Sequence, residues 1–151
     1  MPKEIYERDP ISIPEVRQLL LDRAMEGEEL SYMQRIALEH AHLTSRISAE
    51  AARSLIDELM NRFSMSKKGA ITLANFMPDV IEEIKVLLGK EAGNFEQETF
   101  EEMLDLLNSI EFLSPEERES ELQAIDEEEE TDFIDDDDKD IDESMIPEDL
   151  R

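Results

Sequence analysis

Apolar residues recur at helical spacing along most of the chain, and short polar signals separate the repeats. Ser12 and Glu15 stand in the S-x-x-E frame of a capping box, with Pro14 in the first turn. The pattern predicts a first helix whose apolar face carries Val16, Leu19, Leu20 and Met25, stopped by Gly27. Ser31 and Gln34 repeat the box before a second helix, expected to bury Ile36, Ala37, Leu38, Ala41 and Leu43. Ser48 caps a third, where Leu55, Ile56, Leu59, Met60 and Phe63 share a face. A shorter fourth runs from Lys67 to Phe76, and Pro78 ends it because the residue before a proline avoids the helical region. Asp79 is the expected cap of a fifth, carrying Ile81, Ile84, Val86, Leu87 and Leu88 and closed by Gly89. Phe95 to Ile110 forms a sixth, with Phe100, Met103, Leu104, Leu107 and Ile110 on one side. Ser114-Pro115-Glu116-Glu117 opens one more helix, polar and fading near Ile125. Only Ile11-Ser12-Ile13 and the residues just before it suggest extended chain.

These elements predict an all-α protein. Residues 13–112 form a compact bundle of about six short helices. Residues 1–12 precede it as an extended segment, 113–125 add the polar helix, and 126–151 read as a disordered acidic tail. Composition agrees: Gly is 4 and aromatics are 5% of 151 residues, where a β-protein would use more Val, Thr, Tyr and turn glycines. Residues 126–151 hold 15 acidic side chains against Lys139 and Arg151, so half of the net charge of -26 lies in the tail.

That charge excludes a general duplex-DNA binder, which needs a cationic face to neutralise phosphates, and disfavours a basic membrane anchor. With no cysteine, disulfide scaffolds, thiolate zinc sites and a Cys nucleophile are excluded. No apolar run is long enough to cross a membrane, and the N-terminus lacks a signal-peptide apolar region, so a cytoplasmic protein is expected.

Catalytic signals are absent from the pattern. His40 and His42 are two apart and point to different sides of a helix, so one half-buried and one exposed histidine are expected rather than a metal pair. No serine lies in a G-x-S-x-G frame, and Lys67-Lys68-Gly69 lacks the glycine spacing of a phosphate loop. Asp135 to Glu143 has carboxylates but no central glycine, so it does not make an EF-hand. Phe133, Ile134, Ile141, Met145, Ile146 and Leu150 intersperse the acids, a composition suited to folding onto a basic partner. No cofactor or metal is expected. Residues 17 to 68 are locally neutral: Arg17, Arg23, Arg35, Arg46, Arg53, Arg62, Lys67 and Lys68 face eight acids, mostly as surface ion pairs. Arg35, Arg46, Lys67 and Lys68 are the candidates for RNA contact within a larger complex. Ile5, Tyr6, Ile11 and Ile13 lie outside any good helix and, with Val16 and Leu20, are the candidates for contact with a partner protein.

The order of these signals resembles a known family. Ile11-Ser12-Ile13-Pro14-Glu15-Val16 leads to Arg23-Ala24-Met25-Glu26-Gly27, then Glu29-Leu30-Ser31-Tyr32-Met33-Gln34, then Leu55-Ile56-Asp57-Glu58-Leu59, then Ala74-Asn75-Phe76-Met77-Pro78. This ordered set is similar to the archaeal DNA-directed RNA polymerase stalk subunit that is related to the fourth subunit of eukaryotic polymerase II. The resemblance implies an HRDC-like all-α bundle with no catalysis of its own. It implies obligate heterodimer formation with the second stalk subunit, the pair projecting from the polymerase core. It further implies a part in initiation, with initiation factors as partners, in transcript handling, and in nucleic-acid contact only inside the complex. Lys90-Glu91-Ala92-Gly93-Asn94 departs from the family's usual basic, apolar stretch, and residues from Leu113 onward lie outside its pattern. A free-standing HRDC-like nucleic-acid-binding module and an acidic-tail interaction protein are the alternatives.

Overall fold

The computed structural model describes residues 8–121 and 123. The expectations for Ile5, Tyr6 and the tail 126–151 lie outside the described residues. Among those described, every regular element is helical: α1 (Ile13–Met25), α2 (Tyr32–Thr44), α3 (Ala49–Phe63), α4 (Lys67–Phe76), α5 (Ile81–Leu88), a 3-10 turn (Gly89–Asn94) and α6 (Gln97–Ser109). The chain divides after Ser114; the second unit begins at Pro115, and residues 115–121 are helical, as the Ser-Pro-Glu-Glu signal predicts.

Serine caps start four of these helices. Ser12, Ser31, Ser48 and Ser66 each hold extended backbone while the side chain accepts an N–H three residues on. At Ser31 the box is reciprocal: Gln34 N–H donates to Ser31 Oγ at 3.2 Å and Ser31 N–H donates to Gln34 Oε1 at 2.9 Å. At Ser12 it is not, because Ser12 Oγ donates to Glu15 Oε1 at 2.9 Å and no backbone donor returns. The fifth start corrects the sequence expectation. Asp79 does not cap α5; Val80 holds the cap position with no side-chain bond. Met77 adopts the left-handed region at φ 46° and the turn through Pro78 leaves Asp79 exposed. Glu82 and Glu83 in the first turn oppose the positive end of the helix dipole instead.

The main core is built from α3 to α6. Leu55 and Leu59 of α3, Leu73 and Ala74 of α4, Ile84 and Leu88 of α5, and Phe100, Met103 and Leu107 of α6 meet there with Ile47. Burying each large apolar side chain stabilises by ~1.5–3 kcal/mol. Phe95 packs edge-on against Phe100, with ring centroids 6.0 Å apart. Helices α1 and α2 pack chiefly on each other, burying Leu21, Ala24, Leu38 and Ala41, and α1 also rests on α3.

Two cross-links tie α1 and the 3-10 turn to α4. Ile13 N–H, an orphan donor at the start of α1, donates to Asn75 Oδ1 of α4 at 2.8 Å. Glu91 of the 3-10 turn accepts from Ser66 N–H and from Ser66 Oγ, both at 2.7 Å, and so places a carboxylate at the N-terminus of α4. At the other end, Leu113 N–H donates to the Arg46 carbonyl at 2.9 Å, holding the chain after α6 against the α2–α3 loop.

Candidate functional site

Helix α1 buries a face other than the one the spacing suggested, whereas α2 buries Leu38 and Ala41 as expected but leaves the rest of its expected set outside. In α1 the buried positions are Pro14, Arg17, Leu21 and Ala24. Val16 and Leu20 are half-buried, while Leu19 is 61% exposed and Met25 more so. In α2 the buried positions are Leu38, Ala41 and His42. Ile36, Ala37 and Leu43, expected inside, are exposed, as are Tyr32 (74%) and Met33. Each helix therefore carries two apolar faces. One closes on the protein itself; the other, with Leu19 between half-buried Val16 and Leu20 on α1 and with Tyr32, Ile36 and Leu43 on α2, turns toward solvent, and Met25 is exposed on a different side of α1. Single exposed apolar residues are ordinary, but a set this dense on two adjacent helices makes them the candidate interaction surface.

The N-terminal segment is anchored to the bundle over its described part. Asp9 pairs with Lys67 at the start of α4. Glu15 lies 3.9 Å from Arg53 of α3. Asp9, Pro10 and Ile11 close a depression of about 140 Å³ over Ile56, Lys67 and Ile71. Ile11 remains exposed. Ile13, expected in the extended segment, is the first residue of α1 and half-buried; the caps from Ser12 and Asn75 draw it into the helix. No strand forms at Ile11-Ser12-Ile13.

The four basic candidates for RNA contact are not brought together in one cationic patch. Arg35 Nε donates to the Leu30 carbonyl at 3.3 Å. Lys67 is engaged by Asp9, and Lys68 beside it is exposed. Arg46 lines a separate depression with Asp79, Glu82 and Glu83. Other cations of the neutral stretch are also paired, Arg23 with Glu28 and Arg62 with both Glu58 and Glu102. Arg17 departs from the surface role expected of it: at 2% exposure it lies on the inner face of α1. Such burial of a guanidinium has no periodic signature, since charged residues are almost never fully buried. His42 is buried and His40 exposed, so the two histidines do point to different sides. Among the described residues no group of His, Asp and Glu is arranged to hold a metal, and no helix is long and apolar enough to cross a membrane.

Two short motifs acquire structural meaning here. In Glu29-Leu30-Ser31-Tyr32-Met33-Gln34, Ser31 and Gln34 cap α2, Leu30 is buried, and Tyr32 and Met33 face solvent. In Ala74-Asn75-Phe76-Met77-Pro78, Asn75 caps α1 across the bundle, Met77 makes the left-handed turn, and Phe76 is turned outward.

The family model described as RNA polymerase Rpb4 matches residues 10–111, which spans α1 through α6. The DNA-directed RNA polymerase subunit Rpo4 of Methanocaldococcus jannaschii is 26% identical over 88 residues, covering 58% of this chain and 75% of that protein.

Proposed function

This chain belongs to the RNA polymerase Rpb4 family, and from that membership we propose that it is a non-catalytic stalk subunit that pairs one-to-one with the second stalk subunit. In this reading it works on the polymerase core in the cytoplasm, with initiation factors as further partners. It supports initiation and transcript handling by holding its companion in place. The observation that carries the pairing is the second apolar face of α1 and α2. Leu19, Tyr32, Ile36 and Leu43 are costly to leave in water and are covered on association. A protein whose main core excludes these helices gains stability from the companion by mass action.

The N-terminal segment extends the same interface. Ile5 and Tyr6 lie along the second stalk subunit, Ile11 is exposed beside them in sequence, and Val16 and Leu20 border the outward side of α1. Ile13 contributes through its fixed position at the helix start. Contact of Arg35, Arg46, Lys67 and Lys68 with RNA is confined to the assembled complex, where the companion supplies the cationic surface that a chain of net charge -26 lacks.

Co-expression with the second stalk subunit tests the pairing. Leu19→Asp combined with Leu43→Asp weakens the complex by at least about tenfold. The same variant unfolds in urea within about 0.5 kcal/mol of the parent, because both positions are exposed. Undiminished affinity would remove α1 and α2 from the interface.

A further inference from the structure

The C-terminal end of α4 and the outer side of α5 frame a groove of about 640 Å³ on the first unit of the chain. Its walls are of two kinds. Phe76, Val86 and Leu87 are apolar, and Asp79, Glu82 and Glu83 are acidic, with Arg46 at one edge. We propose that this groove docks a short basic helix of a partner protein, seated by apolar side chains on Phe76 and Val86 and by cations on Glu82 and Glu83.

The apolar wall is more than the fold requires. Helix α5 meets the core through Ile84 and Leu88, yet Val86 stands 80% exposed on its other side. The left-handed turn at Met77 directs the chain so that Met77 is buried and Phe76 is 57% exposed. Val80, at the start of α5, is exposed as well. Apolar side chains flanked by carboxylates match the two faces of a basic amphipathic helix, whose anchors recur every three or four residues.

Charge selects among occupants. Three carboxylates against one guanidinium give the groove a negative sign, and the whole chain adds a field that draws cations toward it. The chain's own residues 126–151 hold 15 acids against two bases and carry the same sign as the groove. A second copy brings the same net charge of -26. Nucleic acid is excluded by its phosphates. A basic protein segment satisfies both walls.

The experiment uses the full-length chain, isotopically labelled, titrated with a short helical Lys–Leu peptide and followed by amide shifts and calorimetry. A Lys–Ser peptide of equal charge serves as control. Shifts centred on Arg46 and residues 76–87 are expected, with the Lys–Ser peptide at least about tenfold weaker. Glu82→Lys with Glu83→Lys weakens Lys–Leu binding at least about tenfold. Glu98→Lys with Glu101→Lys, exposed positions on α6 with the same change in net charge, weakens it less than about twofold. Val86→Ser weakens it without altering the circular dichroism. Equal binding of both peptides, equal loss from both charge pairs, or shifts confined to residues 126–151 would overturn the proposal in favour of diffuse counterion attraction. Self-association abolished by Val86→Ser would overturn it in favour of a second copy.

Discussion

At Gly69 the helical rule and the packing oppose each other. Replacing a helical glycine by alanine ordinarily stabilises, by up to about 1 kcal/mol in a helix interior, and Gly69 is the third residue of α4. Here a Cβ would sit 2.7 Å from Glu91 Oε2, 3.1 Å from Leu88 Cδ2 and 3.2 Å from Met65 Cγ. Glu91 is not free to retreat, since both its oxygens accept from Ser66. Gly69→Ala therefore destabilises, by about 1–3 kcal/mol as overpacking does, measured from the urea midpoint. In a Glu91→Ala background the same change costs less, and a double-mutant cycle reads the coupling. Asn75→Ala makes a second test. It removes the cap on Ile13 N–H and is expected to cost about 0.5–2 kcal/mol, although the two residues lie on different helices. An unaltered midpoint would contradict the cross-bundle cap. Neither interaction shows in a local pattern: Gly69 looks like a weak point of α4, and Asn75 like an ordinary surface amide.

Helix positions were legible at the level of the element; helix faces were legible only for some. Ser31, Ser48 and the Lys67–Phe76 span stand where their signals placed them. Leu55, Ile56, Leu59 and Phe63 bury the face that their spacing gives. In α1 the spacing pointed to Val16, Leu19 and Leu20, and the structure buries Pro14, Arg17, Leu21 and Ala24 instead. Periodicity reports that a helix has apolar residues to cover; it does not say which neighbour covers them. A helix with one face for its own bundle and another for a partner has too many apolar positions for one seam, and Arg17 disguises the inner one. Val86 on α5 misled in the same way. The outward faces thus carry a distinct expectation. Leu43→Asp leaves the far-ultraviolet spectrum and the urea midpoint of the free chain unchanged, whereas Leu38→Ala, fully buried, lowers stability by about 2–5 kcal/mol. If both substitutions destabilise alike, α2 has no outward face to spare.

For the whole molecule, charge and apolar surface play separate parts. The excess of acids disfavours non-specific nucleic-acid contact, and under the proposed function the exposed apolar positions supply attachment. Among the described residues of the first unit, every buried apolar residue lies within the span from Pro14 to Leu107. Removing residues 126–151, with half of the net charge, is accordingly expected to leave the unfolding midpoint of the bundle within about 0.5 kcal/mol. A larger drop would mean that the acidic segment contributes to the fold. Family membership rests on residues 10–111, so the acidic segment stands outside what the family explains.

The most direct test is to purify this chain together with the second stalk subunit and measure the mass of the complex across salt concentrations. An apolar interface predicts a one-to-one heterodimer that persists near ~1 M salt, where the Debye length is about 3 Å and surface ion pairs are screened. A folded monomer that elutes apart from its companion at every salt concentration would contradict the account.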